Sequence, residues 1–317
     1  MDARDEQALQ AAKLYYGEDL TQAAVAEALG VSRPTVAKLI QHAHDRGWVS
    51  ITVHDPRERS SALAEELAGR YNLAEVRLAQ PVHDRAEALL ADLGRIGAEV
   101  LDELVVDGML VGVSWGRTML STALQLRRKH VRGVEIIQLK GGQSHSDRST
   151  EDLQTINGFC AAYDAWARTL PLPGIFDSVE TKRIVEEDRH IARILALGRA
   201  VDLAVFTVGG VSPDSLALNL GLLTEDERRL LLERAVGDAC SRFFRADGGV
   251  AVPEIDARTV GIELHQLRAL PARLLIAGGA DKADAIEVAL RTGLATHLVI
   301  DAPTARRVLD LAGPGQG

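Results

Sequence analysis

Cysteine is nearly absent: of 317 residues only Cys160 and Cys240 are cysteine, far apart in the chain. No disulfide framework and no metal-ligand spacing can be built from them. Two reduced thiols in a cytoplasmic protein are expected. Aromatic residues are only 4% of the chain, too few to stack single-stranded bases along a groove. No apolar run approaches the roughly 18 residues of a membrane span. The opening segment MDARDEQALQ is acidic where a secretion signal is basic and then apolar, so no signal and no membrane contact are expected. Positive charge is also in deficit: Lys+Arg number 36 against 45 Asp+Glu, a net charge of −9. An acidic total disfavours non-specific grip on nucleic acid, so any DNA binding must be local and multiplied by oligomerisation.

What remains, 46% hydrophobic and 26% charged residues, is ordinary for a folded globular protein and excludes a disordered chain. The N-terminal residues 1–56 read as short helices followed by a strand. The first helix is predicted over Glu6 to Tyr16, with Leu9, Ala12, Leu14 and Tyr16 as its apolar face. Thr21 is an N-cap for a second helix that turns Ala24, Val25, Ala28 and Leu29 inward, and Gly30 ends it in a left-handed turn. Ser32 caps a third helix with Pro34 in its first turn, carrying Val36, Leu39, Ile40 and Ala43 and stopping at Gly47. Val49, Ile51 and Val53 then alternate with polar residues as a half-buried strand, a candidate wing, ended by Pro56.

This is the pattern of a helix-turn-helix. Burial of Val31, Val36 and Leu39 leaves the start of the third helix free to enter a major groove. Thr21 and Ser32 are the caps; Arg33, Pro34, Thr35 and Lys38 form the exposed start, with Arg33 and Lys38 facing guanine or phosphate and Thr35 a phosphate or thymine methyl. The other reading is a three-helix bundle with another job. Over Thr21 to His54 the charge is only Arg33, Lys38 and Arg46 against Glu27 and Asp45, so a single copy should bind double-stranded DNA feebly and two or more copies on paired half-sites are required.

A charged amphipathic helix from Arg57 to Arg70, with Leu63 and Leu67, connects this region to residues 57–317. From Glu75 onward short apolar runs (EVRLA, MLVGVS, VEIIQL, LAVFTV, VGIEL, RLLIAG, HLVID) alternate with helical stretches, the signature of a mostly parallel sheet with helices on both faces. Such sheets bind ligands at the carboxyl ends of strands, and several of these runs end in glycine-rich turns.

The first turn, Ser114-Trp115-Gly116-Arg117-Thr118, offers two hydroxyls, a bare backbone amide and a guanidinium at a helix start, which suits a phosphate; the plainer reading is a structural turn. Gly112-Val113-Ser114-Trp115-Gly116 also matches a nucleophile elbow, but a hydrolase needs an acid and a histidine in constellation, and His190, His265 and His297 sit in no distinctive context. Lys140, before Gly141 and Gly142, is either a solvated surface residue or an amine in the ligand crevice able to form a Schiff base with an aldehyde. In the turn after RLLIAG, Gly278 and Gly279 precede Lys282, a cation in a first helical turn that is either an ordinary surface lysine or placed there for a bound anion. Asp177 in PGIFDS and Asp238 in GDACSRFF either bind sugar hydroxyls or cap turns.

Taken together, AAKLYYGEDLTQAAVAEALGVSRPTVAKLIQHAHDRGWVSITV, GVSWGRTM, VEIIQLKGG, VGDACSRFF and AGGADKADAIEVALRTGLATHLVID resemble the SorC-type sugar-binding transcriptional regulators over nearly the whole chain. The resemblance implies a winged helix-turn-helix domain followed by a Rossmann-like three-layer α/β/α domain of the sugar-phosphate isomerase and deaminase type that has lost catalysis. It further implies a homotetramer, a phosphorylated-sugar effector that alters operator binding, and no cofactor or metal. The Ser114–Thr118 loop and Lys282 fall on its phosphate-binding motifs, and Gly141 and Gly142 on its sugar-site glycines. QLKGG followed by LPLPGIFD is most similar to the deoxyribonucleoside-regulator branch, which responds to deoxyribose 5-phosphate, and this favours a reversible imine on Lys140. Arg245 stands where members commonly carry an acid. The expectation is a repressor released by a sugar phosphate; the alternative is a sugar-phosphate isomerase or deaminase with an accessory domain, against which stands the missing pair of general base and acid in the glycine-rich loops.

Overall fold

The structure is a computed structural model that describes residues 3–49, 62–81 and 85–313. The chain separates into two compact units, Met1–Asp55 and Pro56–Gly317. In the first, α1 (Ala3–Ala12) continues into a π-helical turn, Lys13–Gly17, followed by α2 (Gln22–Leu29) and α3 (Arg33–Asp45). The Thr21 hydroxyl accepts from the amide of Ala24 and that of Ser32 from Thr35, so both predicted caps are made. Gly30 takes φ +65°, a left-handed conformation that favours glycine. Val36, Leu39, Ile40 and Ala43 of α3 are buried, as their spacing predicts, against Ala8, Ala11 and Ala12 of α1 and Val25 and Ala26 of α2.

Two details differ from the sequence reading. The buried face of α1 is Asp5, Ala8, Ala11 and Ala12, and in the π turn that follows Tyr16 is exposed and meets His44 Nε2 at 3.0 Å. In α2 the buried residues are Val25 and Ala26, and Ala28 is exposed. Asp5 is buried because α3 supplies its partners: Arg46 in a bidentate pair at 2.6 and 3.2 Å and His42 at 2.7 Å. Their hydrogen bonds, Arg46 first, hold the Asp5 carboxyl down at about 2. Ile51 and Val53 of the predicted wing strand, and the first residues of the predicted connecting helix, lie outside the described residues.

The second unit starts with α4 (Ala62–Tyr71), whose Leu67 is fully buried. Its main sheet takes β1 (Glu75–Ala79), β2 (Leu110–Val113), β3 (Glu135–Gln138), β4 (Trp166–Arg168) and β5 (Leu203–Phe206). A three-stranded antiparallel sheet follows, β6 (Val208–Gly210), β7 (Gly237–Ala239) and β8 (Arg242–Phe244), before β9 (Ala272–Ile276) and β10 (His297–Asp301) return to the main sheet. The main sheet is wholly parallel, in the order β1-β10-β9-β5-β2-β3-β4. Its helices are α5 (Ala86–Leu104), α6 (Arg117–Gln125), α7 (Asp152–Tyr163), α8 (Val179–Glu186), α9 (Arg189–Gly198), α10 (Glu225–Arg234), α11 (Pro253–Asp256), α12 (Leu264–Ala269), α13 (Ala283–Arg291) and α14 (Ala302–Leu311).

Strand side chains alternate between two cores, one on each face, giving three layers. Ile136 and Val205 pack with α5, α6 and α7 residues such as Ile96, Met119 and Phe159, whereas Ile137 and Phe206 pack with Leu67, Ile194, Ile286 and Val308 on the other face. Helices α5 and α6 approach closely: a Cβ on Gly94 would lie 2.6 Å from the Ser121 backbone. A third cluster, with Trp115, Leu220, Leu231 and Phe243, packs separately from both sheet cores. The run VGIEL is not a strand of the sheet; its Gly261 makes one isolated antiparallel bridge to Lys140. β4 and the β7–β8 hairpin come from stretches whose periodicity announces no strand.

Candidate functional site

The chain leaves β2 toward β3 and β4 on one side of the sheet, and β5 toward β9 and β10 on the other. β2 and β5 are neighbours, so the order reverses between them, and the crevice beyond the carboxyl ends of parallel strands opens at such a reversal. Four neighbouring strand ends supply its walls: β9 with Gly278, Gly279 and Lys282, β5 running into Gly209 and Gly210, β2 with Ser114 to Thr118, and β3 with Lys140, Gly141 and Gly142.

Lys140 is buried, and its ammonium lies 3.5 Å from the centre of the Trp115 ring. The Trp115 indole N–H donates to the Gly141 carbonyl at 2.9 Å, tying the β2 turn to the β3 turn. Burial pushes the Lys140 pKa down, against the opposing pull of Asp238, Cys240 and Asp152. Asp238, on β7, is buried within the field of both Lys140 and Lys282; burial pushes its carboxyl up, opposed by Lys140 and by the amide of Ser241 at 3.1 Å. Lys282 is pushed down by burial and by Arg117, and up by Asp281 and Asp238. Lys140, Asp238, Lys282 and Arg117 thus form one charged cluster assembled from four separate segments of the chain.

The glycines let the backbone come close. A Cβ on Gly142 would lie 2.0 Å from the Asp152 carboxylate, one on Gly141 2.4 Å from the Pro173 carbonyl, one on Gly209 2.4 Å from Asp238, and one on Gly278 2.4 Å from Asp301. Gly116, with φ +135°, precedes the first residue of α6 and frees that helix end to face the crevice. Asp301 and Thr304 accept from the Gly279 amide at 2.9 and 3.0 Å, fixing the turn that carries Lys282. Ser114 is 1% exposed, and its hydroxyl has no hydrogen-bond partner among the described residues. A buried unpaired hydroxyl costs about 1–3 kcal/mol, which an incoming acceptor would recover.

Asp177 is exposed, and no described hydrogen bond or ion pair brings it to the cluster. Arg117 is exposed and Thr118 buried. Arg245 is exposed and paired with Asp247 at 2.8 Å. Sequence reasoning missed Asp152, which accepts from Thr150 at 2.9 Å, and Cys240, whose thiol burial pushes up to about 11. The glycine pair at 141–142 signalled a close neighbour without saying which. In the N-terminal unit Ser32, Arg33, Pro34 and Lys38 are exposed along one edge, and the Ser32 and Thr35 hydroxyls meet at 2.7 Å.

A helix-turn-helix unit and a parallel-sheet unit with a charged crevice define a class, the ligand-binding transcriptional regulators. A sugar-binding domain model matches residues 55–310 and a MarR family model residues 6–60. The chain belongs to the SorC-type sugar-binding transcriptional regulators. It is 45% identical over 312 residues to the deoxyribonucleoside regulator of Bacillus subtilis, covering 98% of this chain and 99% of that one. It is 28% identical over 301 residues to the sorbitol operon regulator of Klebsiella pneumoniae, covering 94% and 96%. The full-length crystal structure of the sorbitol operon regulator from Klebsiella pneumoniae matches at a TM-score of 0.74 and 25% identity, covering 98% of this chain and all of that one. A transcriptional regulator from Streptococcus pneumoniae matches at 0.74 and 26% identity, covering 80% and 97%. These relatives are named regulators, so this protein is a sugar-responsive transcriptional regulator and the enzyme alternative falls. No described helix is long and apolar enough to cross a membrane.

Proposed function

We propose that the protein is a cytoplasmic repressor released from its operator by 2-deoxyribose 5-phosphate, controlling genes of nucleoside or sugar catabolism. The observation that carries this reading is the buried Lys140 amine, held against Trp115 and depressed by burial, within the field of Asp238. Burial that disfavours the ammonium favours the free amine, the form able to add to the C1 aldehyde of an open-chain sugar. The amine forms a carbinolamine; loss of water with the second amine proton gives the imine. Asp238, whose carboxyl burial pushes up, is the group suited to hand a proton to the departing hydroxyl.

The phosphate goes to Ser114, Gly116, Arg117, Thr118 and Lys282, with the end of α6 behind it. Gly141, Gly142, Gly278 and Gly279 let their turns pack tightly against Pro173, Asp152, Asp301 and Asp281 beside the sugar, and Asp177 reaches hydroxyls only if its loop turns inward. In a homotetramer, pairs of N-terminal units place Arg33, Thr35 and Lys38 in successive major grooves, with Thr21 and Ser32 as caps, and the sugar favours an arrangement that no longer matches the half-sites. The name of the Bacillus subtilis relative supports the nucleoside side of this reading.

Fluorescence anisotropy with the cognate operator tests it. The sugar phosphate is expected to weaken binding by wild-type protein, whereas Lys140→Met still binds DNA and no longer responds. Borohydride should add the reduced sugar to Lys140 alone. Operator affinity indifferent to the sugar would end the reading.

A further inference from the structure

Arg242 is a buried cation, 3% exposed, that touches no residue assigned above to ligand binding except through the backbone. Its guanidinium is spent on carbonyl oxygens: Nη1 donates to Asp256 at 2.6 Å, Nη2 to Thr259 and Gly261 at 3.0 and 3.1 Å, and Nε to Ile262 at 3.3 Å. The Asp256 carboxylate, at 3.1 Å, balances the charge. Burying a guanidinium is costly unless its donors are filled, and a point-charge ammonium cannot reproduce this planar fan.

The segment so gathered is the one that holds Lys140. Gly261 bridges Lys140, and the Ile262 amide donates to the Leu139 carbonyl at 2.8 Å. The fit is tight: with φ +113°, Gly261 brings its backbone so near that a Cβ would lie 2.7 Å from Lys140 Cα. On its other side Arg242 belongs to β8, opposite Ala239 and next to the Cys240–Ser241 turn that closes the Asp238 hairpin. Both residues of that turn have positive φ, +52° and +64°, so the hairpin is narrow and its shape defined.

We propose that Arg242 is a positioning residue of the effector crevice: it joins the 256–262 strap to the Asp238 hairpin and so fixes the Lys140 amine over Trp115. This rests on the reading of Lys140 as the aldehyde-capturing amine. The ionisable groups in the field of that amine are Asp238 and Cys240 from the hairpin and Asp152 from α7; Lys282 and Arg117 lie in the same cluster near Asp238. Loosening the strap admits water to the amine, which raises its proton affinity and slows its attack on an aldehyde.

The test uses the full chain in a Trp48→Phe, Trp166→Phe background. Both positions have exposed rings, at 36% and 78%, and the change leaves Trp115 as the sole tryptophan of three. Its emission reports the charge of the ammonium over it without any ligand. In Arg242→Lys, the midpoint of the Trp115 emission titration is expected to rise by about one pH unit, and borohydride trapping of 2-deoxyribose 5-phosphate at neutral pH to slow about tenfold. Asp256→Asn, which removes only the balancing carboxylate, should move both in the same direction, and it decides the matter if Arg242→Lys does not fold. An unshifted emission midpoint in a folded Arg242→Lys protein, or in Asp256→Asn when that variant decides, overturns the proposal. If the parent protein traps no sugar, the imine reading fails, while the emission titration still decides the role of Arg242.

Discussion

The Ser114 hydroxyl sits in a protein interior without a hydrogen-bond partner among the described residues, at the turn proposed to receive the phosphate. Ser114→Ala should therefore leave the ligand-free protein as stable as before, or up to about 1–2 kcal/mol more stable, since it removes an unpaired polar group. The same change should weaken sugar-phosphate affinity about tenfold, read by calorimetry, the loss of one hydrogen bond to a charged acceptor. Asp5 makes an opposite kind of prediction. Its folded pKa, about 2, lies below the ordinary 3.8, so the stabilisation is fully present above pH 4 and is lost as pH falls through 2. Emission from Trp48, over which Arg46 stacks at 5.6 Å, should show this acid transition, and Asp5→Asn should remove the pH dependence in that window. Residues with local signals, such as the caps Thr21 and Ser32 and the lysines beside glycine turns, were legible from the sequence. Asp152 and Arg242 were not, because what defines them is a partner many residues away: Gly142 for one, the 256–262 carbonyls for the other.

Elements were legible where their periodicity was strong. The runs at Glu75, Leu110, Glu135, Leu203, Ala272 and His297 are strands of the main sheet. VGIEL had the same composition and is not one: its Gly261 forms only an isolated bridge to Lys140, and its Leu264 already begins α12. β4 is only Trp166–Arg168, too short to show a period, and the β7–β8 hairpin turns through Cys240 and Ser241, neither of them a usual residue for a left-handed turn. Packing between elements yields its own prediction. Gly94→Val would push α5 away from α6 at Ser121, at a cost of about 1–3 kcal/mol. That lowers the melting temperature of the larger unit by several degrees in calorimetry, with the N-terminal unit unaffected.

Across the whole molecule, a net charge of −9 and a reading unit with few cations are the reason the proposed operator binding calls on several copies acting together. Linkage then constrains the response. Whatever factor the sugar phosphate imposes on operator affinity, about 5 to 150 in typical couplings, saturating operator DNA must impose on sugar affinity. Titrating the sugar with and without operator checks this, and a sugar affinity that saturating operator leaves unchanged would show that the sugar does not act on operator binding. The crevice also has a history within the chain. Its walls come from residues as far apart as Ser114 and Lys282, while the DNA-reading unit is complete by Asp55. During synthesis the reader emerges from the ribosome long before the receptor, so every molecule passes through a stage deaf to its metabolite, and with the phosphate proposed to rest on Lys282, a chain cut short before it is expected never to leave that stage.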